Sequence, residues 1–178
     1  NALFDLGALV VRDLRLNIDD AMANRKLALA ADEVRLINSG ASHRVLARVR
    51  CLLTNSAPVD VVLDYNSDNK GGDSYLGGKQ LDIAAIMHGY PLAGVLLERG
   101  DGRAQLWTWW QRGRLMQARA EVDLNGLVLT TQAPIVVDEK RQIAPRVGID
   151  RMAFSARWLR RDYGWQVDVA DLALTRQG

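Results

Sequence analysis

The 178-residue chain is 48% hydrophobic and 25% charged, with 23 basic and 21 acidic side chains for a net charge of +2. That size suits one domain rather than two, and a charge so near balance excludes the cationic stripe of an electrostatic nucleic-acid binder despite a sequence pI of 8.9. The single cysteine, Cys51, excludes an intramolecular disulfide and reads as a small buried hydrophobe, and no run of about 18 apolar residues offers a membrane span.

Along the chain, period two dominates. Leu14, Leu16 and Ile18 alternate with Asp13, Arg15, Asn17 and Asp19. Val45, Ala47, Val49, Cys51 and Leu53 alternate with Arg44, Arg48 and Arg50. After a turn in "LTNSAP" at 53–58, Val59, Val61, Leu63 and Tyr65 alternate with Asp60, Asp64 and Asn66. Side chains on a strand point to alternate faces, so each run predicts a strand with one apolar and one wet side. The stretch "NSDNKGGDS" at 66–74 predicts a flexible polar loop.

One helix is predicted, near 82–88, as a crossover between an N-terminal and a C-terminal set of strands. In "LDIAAIMHGYP", Asp82 can accept from the free amides of the first turn, Ile83, Ile86 and Met87 share a face, and Gly89 with Pro91 supplies the stop.

Beyond it, "AQLWTWWQRGRLMQARAEVDL" predicts a hairpin turning at "QRGR" (111–114). Trp107 and Trp109 fall on one face of its first strand and Trp110 with Leu106 on the other. One set packs the core and the other is a partly exposed anchor, with sugar stacking as the alternative for exposed rings. In the second strand Met116, Ala118, Ala120, Val122 and Leu124 oppose Gln117, Arg119, Glu121 and Asp123. A turn is predicted at "LNGL" (124–127) and another at "RRDYG" (160–164); between them Met152, Phe154, Ala156 and Trp158 share a side, and "GWQVDVADLAL" forms the last strand.

The catalytic inventory is thin. His43 and His88 belong to no metal-ligand spacing, and His43 is expected on the surface at the start of a strand. "GASHR" lacks the closing glycine of a nucleophile elbow, and "LGGK" lacks the P-loop spacing. Asp64, Asn66 and Asp68 have calcium-loop spacing, but Asn69 stands where the turn needs glycine and Tyr75 where a bidentate glutamate belongs. The expectation is a noncatalytic protein with no cofactor and no metal.

The fold class predicted is therefore mostly β: an antiparallel curved sheet or open groove of about 8–10 strands. Each large apolar side chain left in water forgoes about 1.5–3 kcal/mol, so the apolar face needs a cover that one short helix cannot provide. A second sheet, closure of the sheet on itself, neighbouring segments of a longer protein or an apolar ligand would serve. The chain begins at Asn1 without a signal-peptide pattern, so residues 1–178 read as a single segment excised from a longer protein.

The stretches "GASHRVLARVRCLL", "AQLWTWWQRGRL", "FSARWLRRDYGW" and "GWQVDVADLAL" resemble, in order and spacing, a repeat-bearing region of the large bacterial AsmA-like proteins of the YhdP branch. The resemblance spans most of the chain, loosely, and none of its motifs is catalytic. It implies a section of an inner-membrane-anchored periplasmic rod whose strands curl into a groove carrying phospholipid between inner and outer membranes. Its partners would be phospholipid or another acyl-chain ligand and neighbouring repeats. The expected lipid-contacting residues are Val45, Ala47 and Val49, then Val59, Val61 and Leu63, then Met116 through Leu124 by alternate positions, then Met152, Phe154, Ala156 and Trp158. Arg112 and Arg114 are candidates for headgroup contact at the rim, or simply solvated turn residues. A structural or partner-binding β module of the cell envelope, and a carbohydrate-binding domain, are the alternatives.

Overall fold

The computed structural model describes residues 7–20, 25–87, 91, 94–131, 135–138, 141–143 and 145–176. These form β1 (Ala8–Asp20), β2 (Arg25–Ser39), β3 (Ser42–Cys51), β4 (Val59–Asn66), β5 (Gly71–Asp82), α1 (Ile83–Ile86), β6 (Val95–Gln111), β7 (Arg114–Thr131), β8 (Ile135–Asp138), β9 (Arg141–Ile143), β10 (Arg146–Arg161) and β11 (Gly164–Thr175). Nine strands make one antiparallel, open and curved sheet in the order β1-β2-β3-β4-β5-β6-β7-β10-β11, and β8 pairs with β9 alone. The predicted fold class is therefore present.

The strands follow one another through the sheet because short connections favour neighbours. Tight turns link β2 to β3 at Gly40, β6 to β7 at Arg112 and Gly113, and β10 to β11 at Asp162 and Tyr163. Between β4 and β5, the Asn66 Oδ1 accepts from the amides of Asp68 and Asn69, and the Asn69 Oδ1 from the amide of Gly71. The polar residues that superficially match a calcium loop thus shape a hairpin. The flexible loop predicted at 66–74 is shorter than expected, since β5 already begins at Gly71. Glycine is required at position 72 because a Cβ there would collide with the Asp64 carbonyl of β4.

The helix is shorter than its predicted span. The Asp82 Oδ1 accepts from the Ala85 amide at 2.9 Å, as the cap assignment required; His88 and Gly89 lie outside the described residues. Because β5 and β6 are antiparallel neighbours, α1 sits in the connection between two adjacent strands and packs against β6.

Two other expectations fail. No turn occurs at 124–127, where β7 continues through Gly126 at a φ of 58°, and Leu53 belongs to the connection after β3 and not to the strand.

Hydrophobic burial is sparse. Among the described residues the buried apolar side chains are Ala31, Leu81, Ala84, Leu124 and Leu127, clustered mainly where α1 packs against β6 at one end of the sheet. The chain exposes 12545 Å², whereas a compact 19.7 kDa monomer would expose about 8600 Å² by the usual size scaling. The excess follows from the architecture: among the described residues no second layer covers the sheet.

Candidate functional site

Register decides which side chains share a face, because cross-strand partners point the same way. One row crosses all nine strands: Val11 opposes Val34, then follow Ala47, Val61, Leu76, Leu106, Ala120, Ala156 and Val169. Every member is apolar. Parallel rows run beside it, from Leu36 through Val45 to Leu63 and from Ala104 through Val122 to Phe154. The face continues to both edges, where Leu16, Val167 and Val169 are 48%, 61% and 57% exposed.

The structure brings the predicted residues together on this face. Val45, Ala47 and Val49 oppose Leu63, Val61 and Val59 on β4. Ala118, Ala120, Val122 and Leu124 oppose Trp158, Ala156, Phe154 and Met152 on β10. All are at least half-covered by their neighbours; Leu63 is the most exposed of them at 40%, and Leu124 is buried outright at 3%. At Met116 the pairing with β6 is irregular. The register shifts between Trp109 and Trp110, so that Leu115 and not Met116 opposes Trp110. A β-bulge resets the phase of the strand.

The opposite face is charged. Arg44 makes a bidentate pair with Asp64 at 2.6 and 2.8 Å, Arg48 meets Asp60 at 2.7 Å, Arg50 meets Asp32, and Arg151 grips Asp123 at 2.9 and 3.0 Å. Hydrogen bonds from Arg35, Arg44 and Arg151 hold the carboxyls of Glu33, Asp64 and Asp123 below the usual carboxylate range. Conversely, the hydrogen-bonded carboxylates of Asp64, Asp60 and Asp123 push the guanidinium values of Arg44, Arg48 and Arg151 upward. These pairs are exposed, so their role is to keep one face wet and in register more than to add stability.

The tryptophans divide as their alternation predicted. Trp110 lies with Thr108 and Leu106 on the apolar side and donates from Nε1 to the Thr108 Oγ1 at 2.6 Å. Trp107 and Trp109 stand on the charged face, beside partners Arg119 and Gln117. The Arg119 guanidinium lies 5.6 Å from the Trp107 ring, and Tyr75 lies 5.4 Å away on its other flank. At the far edge Trp158 stacks on Trp165 at 3.5 Å, and Arg160 covers Trp165 at 5.1 Å.

His43 is a correction. It is 7% exposed, not on the surface; its Nδ1 bonds the Asn38 side chain at 2.9 Å and its ring stacks against Tyr65. The phase of β3 places it with Val45 and Ala47, which the alternation could have revealed. Arg112 and Arg114 occupy the exposed β6–β7 turn at the hairpin end of the sheet, with Arg112 at a φ of 51°. Near that end a cleft of about 480 Å³ is lined by Arg44, Asp64, Asn66, Asp73 and Trp109. Among the described residues no group of three potential metal-ligating side chains occurs.

No family model, curated protein or solved structure matches the chain. Among the described residues no helix is long and apolar enough to cross a membrane.

Proposed function

We propose that this chain is a noncatalytic section of a lipid-conducting surface, in which the apolar face of the sheet holds acyl chains while the charged face meets water. The observation that carries the reading is the nine-strand apolar row, upon which the described residues lay no second layer. Moving a CH₂ group from water onto such a face gains about 0.8 kcal/mol, so a few acyl carbons suffice to favour occupancy. Few polar groups interrupt the row, and contacts without direction let a chain slide along it. In the related proposal drawn from the AsmA-like resemblance, the ligand is phospholipid, the compartment is the periplasm, and neighbouring repeats continue the groove. Arg112 and Arg114 are placed suitably for phosphate contact at the hairpin end.

A partner-binding module would use the same apolar face for protein. The carbohydrate reading is weakened because both flanks of Trp107 are occupied, by Arg119 and Tyr75. Organic extraction of the purified protein followed by mass spectrometry distinguishes these readings. Stoichiometric phospholipid supports the proposal. A lipid-free protein that remains folded and takes up no phospholipid from vesicles would overturn it.

A further inference from the structure

Asp13, Gly126 and Asp171 share a left-handed backbone, with φ of 54°, 58° and 54°. Each is the third residue of one sequence pattern: VRDLRL at 11–16 in β1, LNGLVL at 124–129 in β7 and VADLAL at 169–174 in β11. This conformation costs most L-residues about 1–2 kcal/mol and is visited readily only by Gly, Asn and Asp. Its recurrence at one place in one pattern marks a structural repeat.

The pairing repeats with it. Strand β7 has two neighbours. Toward β6, the register steps from Asp101↔Asn125 to Arg99↔Val128, so two residues of β7 oppose the single Gly100. Strand β11 makes the same step against β10, from Ser155↔Ala170 to Ala153↔Ala173. Toward β10, β7 pairs without an extra residue, through Asn125↔Arg151 and Leu127↔Ile149. Strand β1 makes that same pairing with β2, through Arg12↔Glu33 and Leu14↔Ala31. Thus β11 reproduces one side of β7 and β1 the other, yet among the described residues each has only one neighbour in the sheet.

We propose that the free edge of β11 is the acceptor for an antiparallel basic strand with the pattern of β10, docked in the register that β10 takes on β7. Charge complementarity selects that occupant. Residues 164–175 contain Asp168 and Asp171 and no Lys or Arg, whereas 146–161 contain a single acid, Asp150, among several arginines. In the β7 register the incoming equivalent of Arg151 falls opposite Ala170. It then lies beside Asp168, as Arg151 lies beside Asp123 in the existing pair. The equivalent of Phe154 falls opposite Val167, so the added strand lengthens the apolar face. Backbone hydrogen bonds supply the affinity and the alternation supplies the register. The inference does not depend on what occupies that face.

A synthetic peptide of residues 146–161, added to the intact chain, tests it by amide hydrogen exchange read by mass spectrometry. Exchange across 164–175 should slow at least tenfold, and a peptide carrying Arg151→Glu and Arg157→Glu should lose at least tenfold in affinity. Either no protection of β11 or equal binding of the charge-reversed peptide would overturn the proposal. So would protection of β11 in the peptide-free protein accompanied by a dimer in sedimentation, because the edge would then prefer its own acidic copy.

Discussion

Ala120 lies between Leu106 and Ala156 in the middle of the apolar row, so a carboxylate there tests the face at single-residue resolution. The charge must stay hydrated or become neutral, and either competes with dry acyl packing. Because no second layer covers the sheet among the described residues, Ala120→Asp should keep its β-type circular dichroism and lose most co-purifying lipid; in a closed sandwich it would unfold the protein. His43 acts differently. His43→Ala removes a buried ring stacked on Tyr65 and should cost roughly 1–2 kcal/mol in denaturant titration while leaving lipid binding intact. On the wet face, the Asp64 carboxyl is lowered by its Arg44 hydrogen bond. A group depressed in the folded state stabilises above its unfolded pKa, about 3.9, and that contribution disappears as pH falls through the folded value. Asp64→Asn should therefore melt slightly below the parent at pH 7. The two melting curves should converge at acid pH below both values, and added salt should narrow the gap at neutral pH.

At the scale of the element, the left-handed kinks explain both a success and a failure of sequence reading. The pattern LNGL suggested a turn, yet a kink repeated at Asp13 and Asp171 lets the strand run on through Gly126. Gly126→Asp should therefore be nearly neutral, since aspartate already holds this conformation twice, whereas Gly126→Val should lower stability by about 1–2 kcal/mol in chemical denaturation. Strand β2 was hidden for a related reason. Its apolar positions change phase from Leu29 and Ala31 to Val34 and Leu36 across a bulge, so no single alternation spans it. Strand β5 was hidden by its glycines, which serve close strand approach and not flexibility, as the collision at Gly72 shows. The predicted apolar face was legible wherever the phase held, over β3, β4, most of β7 and β10. Leu115 was not foreseen as a partner of Trp110, because a bulge at Met116 breaks the phase there.

For the whole molecule, one apolar and one charged face on an open sheet leave the protein's surface far above that of a compact monomer. A hydrophobic surface of this extent marks a place of contact, and the proposed contact is with acyl chains. The most direct measurement inserts a photo-crosslinking residue singly at eight positions and identifies the adducts by mass spectrometry after illumination in lipid-containing membranes. Val49, Val61, Ala120 and Phe154 lie on the apolar face, and Arg48, Asp60, Arg119 and Ser155 on the other. The account predicts phospholipid adducts at the first four sites and none at the second four. Equal labelling of both sets, or protein adducts alone at the apolar sites, would contradict it.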